Sequence, residues 1–428
     1  MKARLLIIGL ALFLVLGGGI WAQASKDLKG SIVVLTHRTD IVDTTLADYV
    51  KRFNKVYPNI KVEFEAITEY DTTVRTRMNT KEYGDVLSMV TVPPLQSDYY
   101  KFYEPLGAQK DLEKKYGFLT NFVYDGKVYG IAPNANASGF VYNKKVFEKA
   151  GIKTMPKTPD EFLAALRKIK AIGVAPLFLN YPSQWTLTQW EAYRVAPSGD
   201  PDYMNKIAHD PAPFSKGKPH YVVNKLLYDV VKEGLIEKDP LTSDWENSKH
   251  LMAQGKIGVM ALGAWAIGQM MDVAKADGLD PNDIGYMPFP YTVKGKMYSE
   301  VSADYALAVN VNSKNKEAAK AFVFWMLDES GYAADNKAIP SLVGGKFPAV
   351  LDAFSALKVN YITLNPAPAA EAGLTDKLDK EAEIGFWQPN WRKRIVDAAM
   401  GTTKETFDQI MNDYNARWDK ARKALGVK

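Results

Sequence analysis

The chain has 428 residues, 47% of them hydrophobic and 24% charged, with a net charge of +5 and no cysteine. That length exceeds one ordinary core and predicts two lobes of roughly 100–200 residues each, while the composition excludes a disordered or low-complexity protein. The small net charge, spread without a long basic run, argues against nucleic acid as a partner, and without cysteine the stability rests on core size rather than on disulfides.

Lys2 and Arg4 precede an uncharged stretch from Leu5 to Ile20 and the small-residue exit Ala22-Gln23-Ala24. This order predicts a secretory signal peptide over residues 1–24. An uncleaved membrane anchor is the alternative, because the uncharged run approaches spanning length. Three consecutive glycines and the Ala-x-Ala exit favour cleavage, which would remove two basic residues and leave the chain near neutral. No cysteine follows that could carry a lipid.

Ser31–Leu35 reads as a strand followed by the loop Thr36-His37-Arg38-Thr39-Asp40. A helix then carries Leu46, Tyr49, Val50, Phe53, Val56 and Tyr57 on one face and stops at Pro58. Ile60–Phe64 resumes the sheet, so the opening is a βαβ unit with parallel pairing. Ligands of such sheets sit outside the carboxyl ends of strands, which makes His37, Arg38, Asp40 and the turn Glu69-Tyr70-Asp71 candidate rim residues. A solvated loop is the bland alternative for the first three. Gly84–Val90 is a further buried strand, with a helical stretch around Leu112 to Tyr116.

Tyr129 to Phe162 is the stretch the chain is organised around. Its polar, small run Asn134 to Gly139 suits chain in the open, between an apolar strand before it and Phe140-Val141-Tyr142 after it. That pattern predicts a crossing from one lobe to another, with Asn136 either facing a cleft or capping the hinge. Thr158-Pro159-Asp160-Glu161 has the residues of a capping box, opening a helix with Phe162, Leu163, Leu166 and Ile169 inward. Ala175–Leu179 is a strand that empties into an aromatic loop containing Tyr181 and Trp185. Helices over Tyr221 to Val231 and Trp245 to Gln254 lead to the buried strand Ile257–Leu262, and Gly263-Ala264-Trp265 turns into another helix. After Ile284–Met287, the polar segment Ser302-Ala303-Asp304 is the expected second crossing, and Ala338 to Gly345 a third. Between them lie a strand at Ala306–Val309 and a helix capped by Ser313. Trp387 and Trp391 sit in a loop, and Thr402 with Glu405 is the expected capping box of the last helix. The lobes expected from these crossings are residues 25–135 plus 303–345 and residues 136–302 plus 346–428.

The four histidines, His37, His209, His220 and His250, have no metal-ligand spacing. No Gly-x-Ser-x-Gly elbow precedes a helix and no glycine-rich loop follows the first strand, so neither a cofactor nor a catalytic metal is expected. Asp40 and Asp43 could form a carboxylate pair for glycosidic chemistry, but 49 acidic residues make such a choice unspecific. The nine tryptophans are more informative. Trp325 and Trp418 fall on apolar helical faces and belong to cores, and Trp245, opening a helix, reads as packing. Trp185, Trp265 and Trp387 lie in or beside loops, where contact with a ligand is the preferred reading over core. A sugar ring offers C–H groups to an aromatic plane and hydroxyls to Asp, Asn, Arg and Glu.

Four stretches, Phe53 to Val62, Tyr129 to Phe162, Gln254 to Trp265 and Ser313 to Met326, together resemble the extracellular solute-binding proteins of ABC importers, in the group that includes maltose-binding protein. The resemblance spans most of the chain after residue 24. It implies an α/β fold of two lobes, each a mainly parallel sheet flanked by helices, joined by a multi-segment hinge with ligand in the cleft. By position it implies ligand contacts at His37, Arg38, Asp40, Asn136, Tyr181, Trp185, Trp265, Asp304 and Trp387, beside Tyr70 at the rim. The chain departs from some relatives in carrying Asn136 where an acidic residue stands, and in the Gln184-Trp185 loop. The implied role is a non-enzymatic, monomeric, periplasmic or cell-surface binding protein that delivers a mono- or oligosaccharide to a membrane permease. A same-fold protein for a non-sugar solute or a sensor, and a secreted polysaccharide-degrading enzyme, are the alternatives.

Overall fold

Gly30–Thr36 (β1) opens the first sheet in the computed structural model, which describes residues 27–90 and 96–427. The stretch read as a signal peptide lies outside the described residues. Helix Ala47–Val56 (α1) turns Tyr49 and Phe53 inward, both 0% exposed, as four-residue apolar spacing requires of a helix lying on a sheet. Ile60–Ala66 (β2) returns parallel to β1, from Gly30↔Ile60 to Thr36↔Ala66, which completes the expected βαβ unit. Helix Tyr70–Met78 (α2) and strand Val86–Ser88 (β3) repeat the step on the other side of β1. The helix expected near Leu112 to Tyr116 is shorter and earlier, Gln109–Leu112.

The run beginning at Asn134 does not lie in the open. Asn134–Asn143 (β4) is one strand of ten residues, and Asn134, Ser138 and Asn143 are all buried. Small side chains permit this, because neighbouring chain comes close on every side. A Cβ added to Gly139 would stand 2.4 Å from the Met287 carbonyl oxygen. Gly139→Ala should therefore displace backbone and lower stability by about 1–3 kcal/mol. Urea unfolding measures this, and a wild-type midpoint would mean that the strand has slack to spare.

Beyond β4, the chain builds helix Pro159–Ala171 (α3), strand Ala175–Phe178 (β5), helices Pro219–Lys232 (α4) and Trp245–Ala253 (α5), strand Ile257–Gly263 (β6) and helix Trp265–Ala276 (α6). Strands Ile284–Met287 (β7) and Tyr298–Ala303 (β8) follow. The chain then re-enters the first sheet as Leu307–Asn310 (β9), with helix Lys316–Asp328 (α7) behind it. Phe322 and Trp325 of α7 meet Phe53 edge to face at 5.1 and 5.5 Å, and each such fully buried ring contributes roughly 1.5–3 kcal/mol. Ile339–Pro340 (β10) returns to β4, and Asn360–Ile362 (β11), Asn390–Met400 (α8) and Phe407–Ala424 (α9) finish the second lobe.

The first sheet runs β2-β1-β3-β9 with Tyr103–Glu104 at its edge, and the second runs β11-β8-β4-β6-β5 with β7 and β10 also on β4. The two-lobed α/β fold thus stands, while the pairing inside it is mixed rather than mainly parallel. β9 is antiparallel to β3, and β6, β7, β8 and β10 are all antiparallel to β4. For β8 the cause is topological: it brings the chain back along β4, and a returning segment must run the other way.

Three caps also differ from expectation. The Thr158 hydroxyl oxygen does accept the Glu161 N–H at 3.2 Å, but the Glu161 carboxylate reaches the Lys157 N–H at 2.7 Å, one residue before the N-cap. Ser313 pairs with Asp85, and Asn315 stands at the start of α7. At the last helix the reciprocal box is Thr406 with Gln409. Gly401, at φ 81°, ends α8, so Thr402 belongs to that terminus and its N–H bonds the Asp397 carbonyl at 3.0 Å.

Candidate binding site

Arg38 leaves the carboxyl end of β1 and is held from two sides. Its Nε and Nη2 each donate to Asp40 at 2.8 Å, while Nη1 donates to Asn336 Oδ1 at 2.6 Å and the Tyr332 hydroxyl at 3.0 Å. Burial opposes the charge of both partners, yet the hydrogen bonds between them raise the Arg38 pKa and lower that of Asp40. His37 stacks on Tyr305 at 4.1 Å and pairs through Nδ1 with Ser88 Oγ at 3.3 Å. Burial pushes its pKa down against the pull of Asp304, which favours the neutral ring.

Asp304 joins the crossing segments. One carboxylate oxygen accepts the side-chain amides of Asn134 at 3.1 Å and Asn136 at 3.0 Å, and the other accepts the Tyr305 N–H at 2.8 Å. The backbone repeats the link, with Ser302 opposite Asn136, and Ala303 and Ile339 on either side of Ala135. All three expected crossings are therefore hydrogen-bonded neighbours. Among the described residues neither Asn134 Oδ1 nor Asn136 Oδ1 has a partner, so acceptors stand unmet at this junction.

The aromatic half lies on the second lobe. Trp185, Trp245 and Trp265 are half-buried and touch one another, with ring centroids 5.0 Å (Trp185–Trp245), 5.8 Å (Trp185–Trp265) and 6.0 Å (Trp245–Trp265) apart. Gly263 allows the turn, since an added Cβ would lie 2.7 Å from the Trp265 ring. Ala264 donates its N–H to the Ala137 carbonyl at 3.1 Å, one residue from Asn136. Gly268, on α6, packs against Asn336, where an added Cβ would meet the carbonyl oxygen at 3.2 Å. The residue that holds Arg38 thus also touches the helix that begins with Trp265.

The structure does not bring every candidate here. Tyr70 is 4% exposed, and its hydroxyl lies 2.7 Å from the Ser88 carbonyl. It backs His37 edge-on at 5.8 Å, a packing role rather than a cleft-facing one. Tyr181 is 7% exposed in the second-lobe core, with its hydroxyl bonded to Asp397 and Lys393 over its ring at 5.0 Å. α8 claims it. Trp387 is 55% exposed and stands apart from the other tryptophans, 5.4 Å above the Arg194 guanidinium.

Sequence reasoning passed over Asn134, Tyr305, Tyr332 and Asn336, and read Trp245 as packing alone. A signal existed for two of these groups. Tyr332 and Asn336 are four residues apart beside the third crossing, and Trp245 immediately follows Asp244, whose carboxylate caps α5 by accepting the Asn247 N–H at 2.7 Å.

Two α/β lobes that share crossing strands, with a charged group on one and an aromatic group on the other, define a two-lobed binding protein. A model of the family described as bacterial extracellular solute-binding protein matches residues 39–333, and the chain belongs to that family. Two solved structures from Bifidobacterium animalis subsp. lactis are similar over nearly the whole chain. One is a manno-oligosaccharide-specific solute-binding protein in complex with mannotriose, 35% identical, covering 94% of this chain and 97% of that one with a TM-score of 0.87. The other is a binding protein of an ABC transporter in complex with mannobiose, 36% identical, covering 95% and 98% with a TM-score of 0.88. A multiple sugar-binding protein of Streptococcus mutans is 26% identical over 320 residues, 71% of this chain and 73% of that protein. These relatives are binding proteins rather than enzymes. Among the described residues no helix is long and apolar enough to cross a membrane.

Proposed function

We propose that this protein is the substrate-binding component of an ABC sugar importer, and that it captures a short oligosaccharide, with manno-oligosaccharides the first candidates. The observation that carries the reading is the meeting of the Trp185–Trp245–Trp265 cluster and the Arg38–Asp304 group at the same crossing strands. Indole faces accept the C–H side of a sugar ring, and the fixed carboxylates, amides and guanidinium accept or donate to its hydroxyls. Identity of 35% and 36% to proteins solved with mannotriose and mannobiose supports the choice of sugar.

The lobes are residues 25–135 plus 303–345 and residues 136–302 plus 346–428, a division supported by β9 and α7 packing with β1 and by β11 pairing with β8. His37, Arg38, Asp40, Asn136 and Asp304 contact ligand from the first lobe and the crossings, and Trp185, Trp265 and Trp387 from the second. A ligand that touches both lobes favours the closed form by its differential contacts. The protein is exported, acts as a monomer without catalysis, and presents the closed form to a membrane permease.

Mannobiose and mannotriose should raise the melting temperature. Ligand at a hundred times its dissociation constant adds about 2.7 kcal/mol of stability by mass action. A screen in which no mono- or oligosaccharide shifts the midpoint, or in which the protein hydrolyses its ligand, overturns the reading.

A further inference from the structure

The two faces of the crossing ribbon differ. Ala135, Ala137 and Val301 turn into the hydrophobic core. The other face carries Asn136 and, opposite it, Ser302. Two-residue alternation then sets Glu300, Ser302 and Asp304 on that same side. Asp304 marks the first-lobe end and Glu300 the second-lobe end. Four steps of extended chain separate them, about 13 Å at 3.3 Å per residue, which is longer than a single pyranose ring.

The Glu300 end has features that packing does not account for. Glu300 Oε2 is ion-paired with Arg194 Nη1 at 3.3 Å, and Nη1 also donates to the Glu191 carbonyl at 2.6 Å. Among the described residues Glu300 Oε2 has no hydrogen-bond partner, although the side chain is only 8% exposed. A buried carboxylate with an unmet acceptor costs stability. Trp387 covers the same guanidinium yet leaves 55% of its surface in solvent. A sugar would use both, its C–H face against the indole and a hydroxyl donated to the carboxylate.

We propose that Glu300 and Arg194, beneath Trp387, form a hydroxyl-recognising subsite at the second-lobe end of the cleft floor, so that the preferred ligand is an oligosaccharide long enough to reach both this subsite and Asp304. This rests on the carbohydrate reading above. Glu300 and Arg194 set ligand length and hydroxyl pattern, while the three-tryptophan cluster supplies the common affinity.

The test is calorimetric titration of the wild-type chain, Glu300→Gln and Trp387→Ala with mannose, mannobiose and mannotriose, alongside the melting temperature of each without ligand. The wild type should bind the longer sugars at least tenfold more tightly than mannose. Both variants should lose that gain with length while keeping a near-wild-type melting temperature. If Glu300→Gln misfolds, Trp387→Ala, at an exposed side chain, still reports the loss of length dependence. Variants that keep the full gain with length overturn the subsite and leave the importer reading standing. A wild type that binds no saccharide overturns the importer reading and the subsite with it.

Discussion

Glu191→Gln should destabilise the protein by about 3–5 kcal/mol at neutral pH, the usual cost of breaking a buried ion pair from one side. Glu191 is 0% exposed and joins three elements. It accepts from Arg392 Nη2 of α8 at 2.5 Å and pairs with His220 Nε2 of α4 at 3.1 Å, while Arg194 Nε lies 3.4 Å away in its own turn. The variant leaves two buried guanidinium groups facing a neutral amide. Burial works against the Glu191 charge, but His220, Arg194 and Arg392 outweigh it and hold the carboxyl at about 2. A carboxylate with a depressed folded pKa contributes stability above its unfolded value, and that contribution is lost as pH falls toward the folded one. The wild type should therefore weaken between the ordinary Glu range and about pH 2, and the variant should show a flatter profile there. His220 works in a separate window: burial lowers its pKa, so stability falls as pH drops below about 6.5 and the unfolded chain takes up the proton. Urea unfolding at pH 7 and pH 3 measures the first effect. A variant within 1 kcal/mol of wild type at pH 7 would mean that hydrophobic contacts alone dock the carboxyl-terminal helices.

Trp265→Ala should weaken oligosaccharide binding by about 2 kcal/mol or more, roughly thirtyfold in dissociation constant. The ring is half-buried against Trp185 and Trp245, so truncation removes a contact surface and also frees its two neighbours. The melting temperature without ligand should fall only slightly, because the cluster lies at the rim rather than in the core. Titration with mannotriose measures the first effect and a thermal scan the second. Affinity equal to wild type would remove Trp265 from the site.

Elements with strong periodicity were legible in the sequence. The βαβ opening, α3 and α9 follow from apolar spacing, and Trp325 and Trp418 are core residues at 4% and 0% exposure as their helical positions imply. The places where β4 and β8 meet were marked too, because the polar segments Asn134 to Gly139 and Ser302 to Asp304 interrupt apolar chain, whereas Ala338 to Gly345 carries no such signal. The burial of Asn134 and Ser138 was not. Polarity along a chain suggests solvent, whereas here the partners are Asp304 and Ser299, more than 160 residues away. The surroundings of Tyr181 were hidden for the same reason in reverse: its place in an aromatic loop suggested a ligand, and its hydroxyl's partner Asp397 lies 216 positions further on. Local pattern records which face of an element is apolar, while long-range pairing decides which polar atoms find one another.

β4 is at once axle and arm. Its first residues are bonded to both returning segments, and its later ones form the middle of the second sheet, with no loop between. A turn of the peptide units near Asn136 would therefore carry the whole slab, with displacement growing with distance from that point. The Trp265 corner is fastened to the strand by Ala264 and Ala137, a fixed fitting and not a separate flap. If Trp265 holds ligand as proposed, swinging and gripping would be one motion.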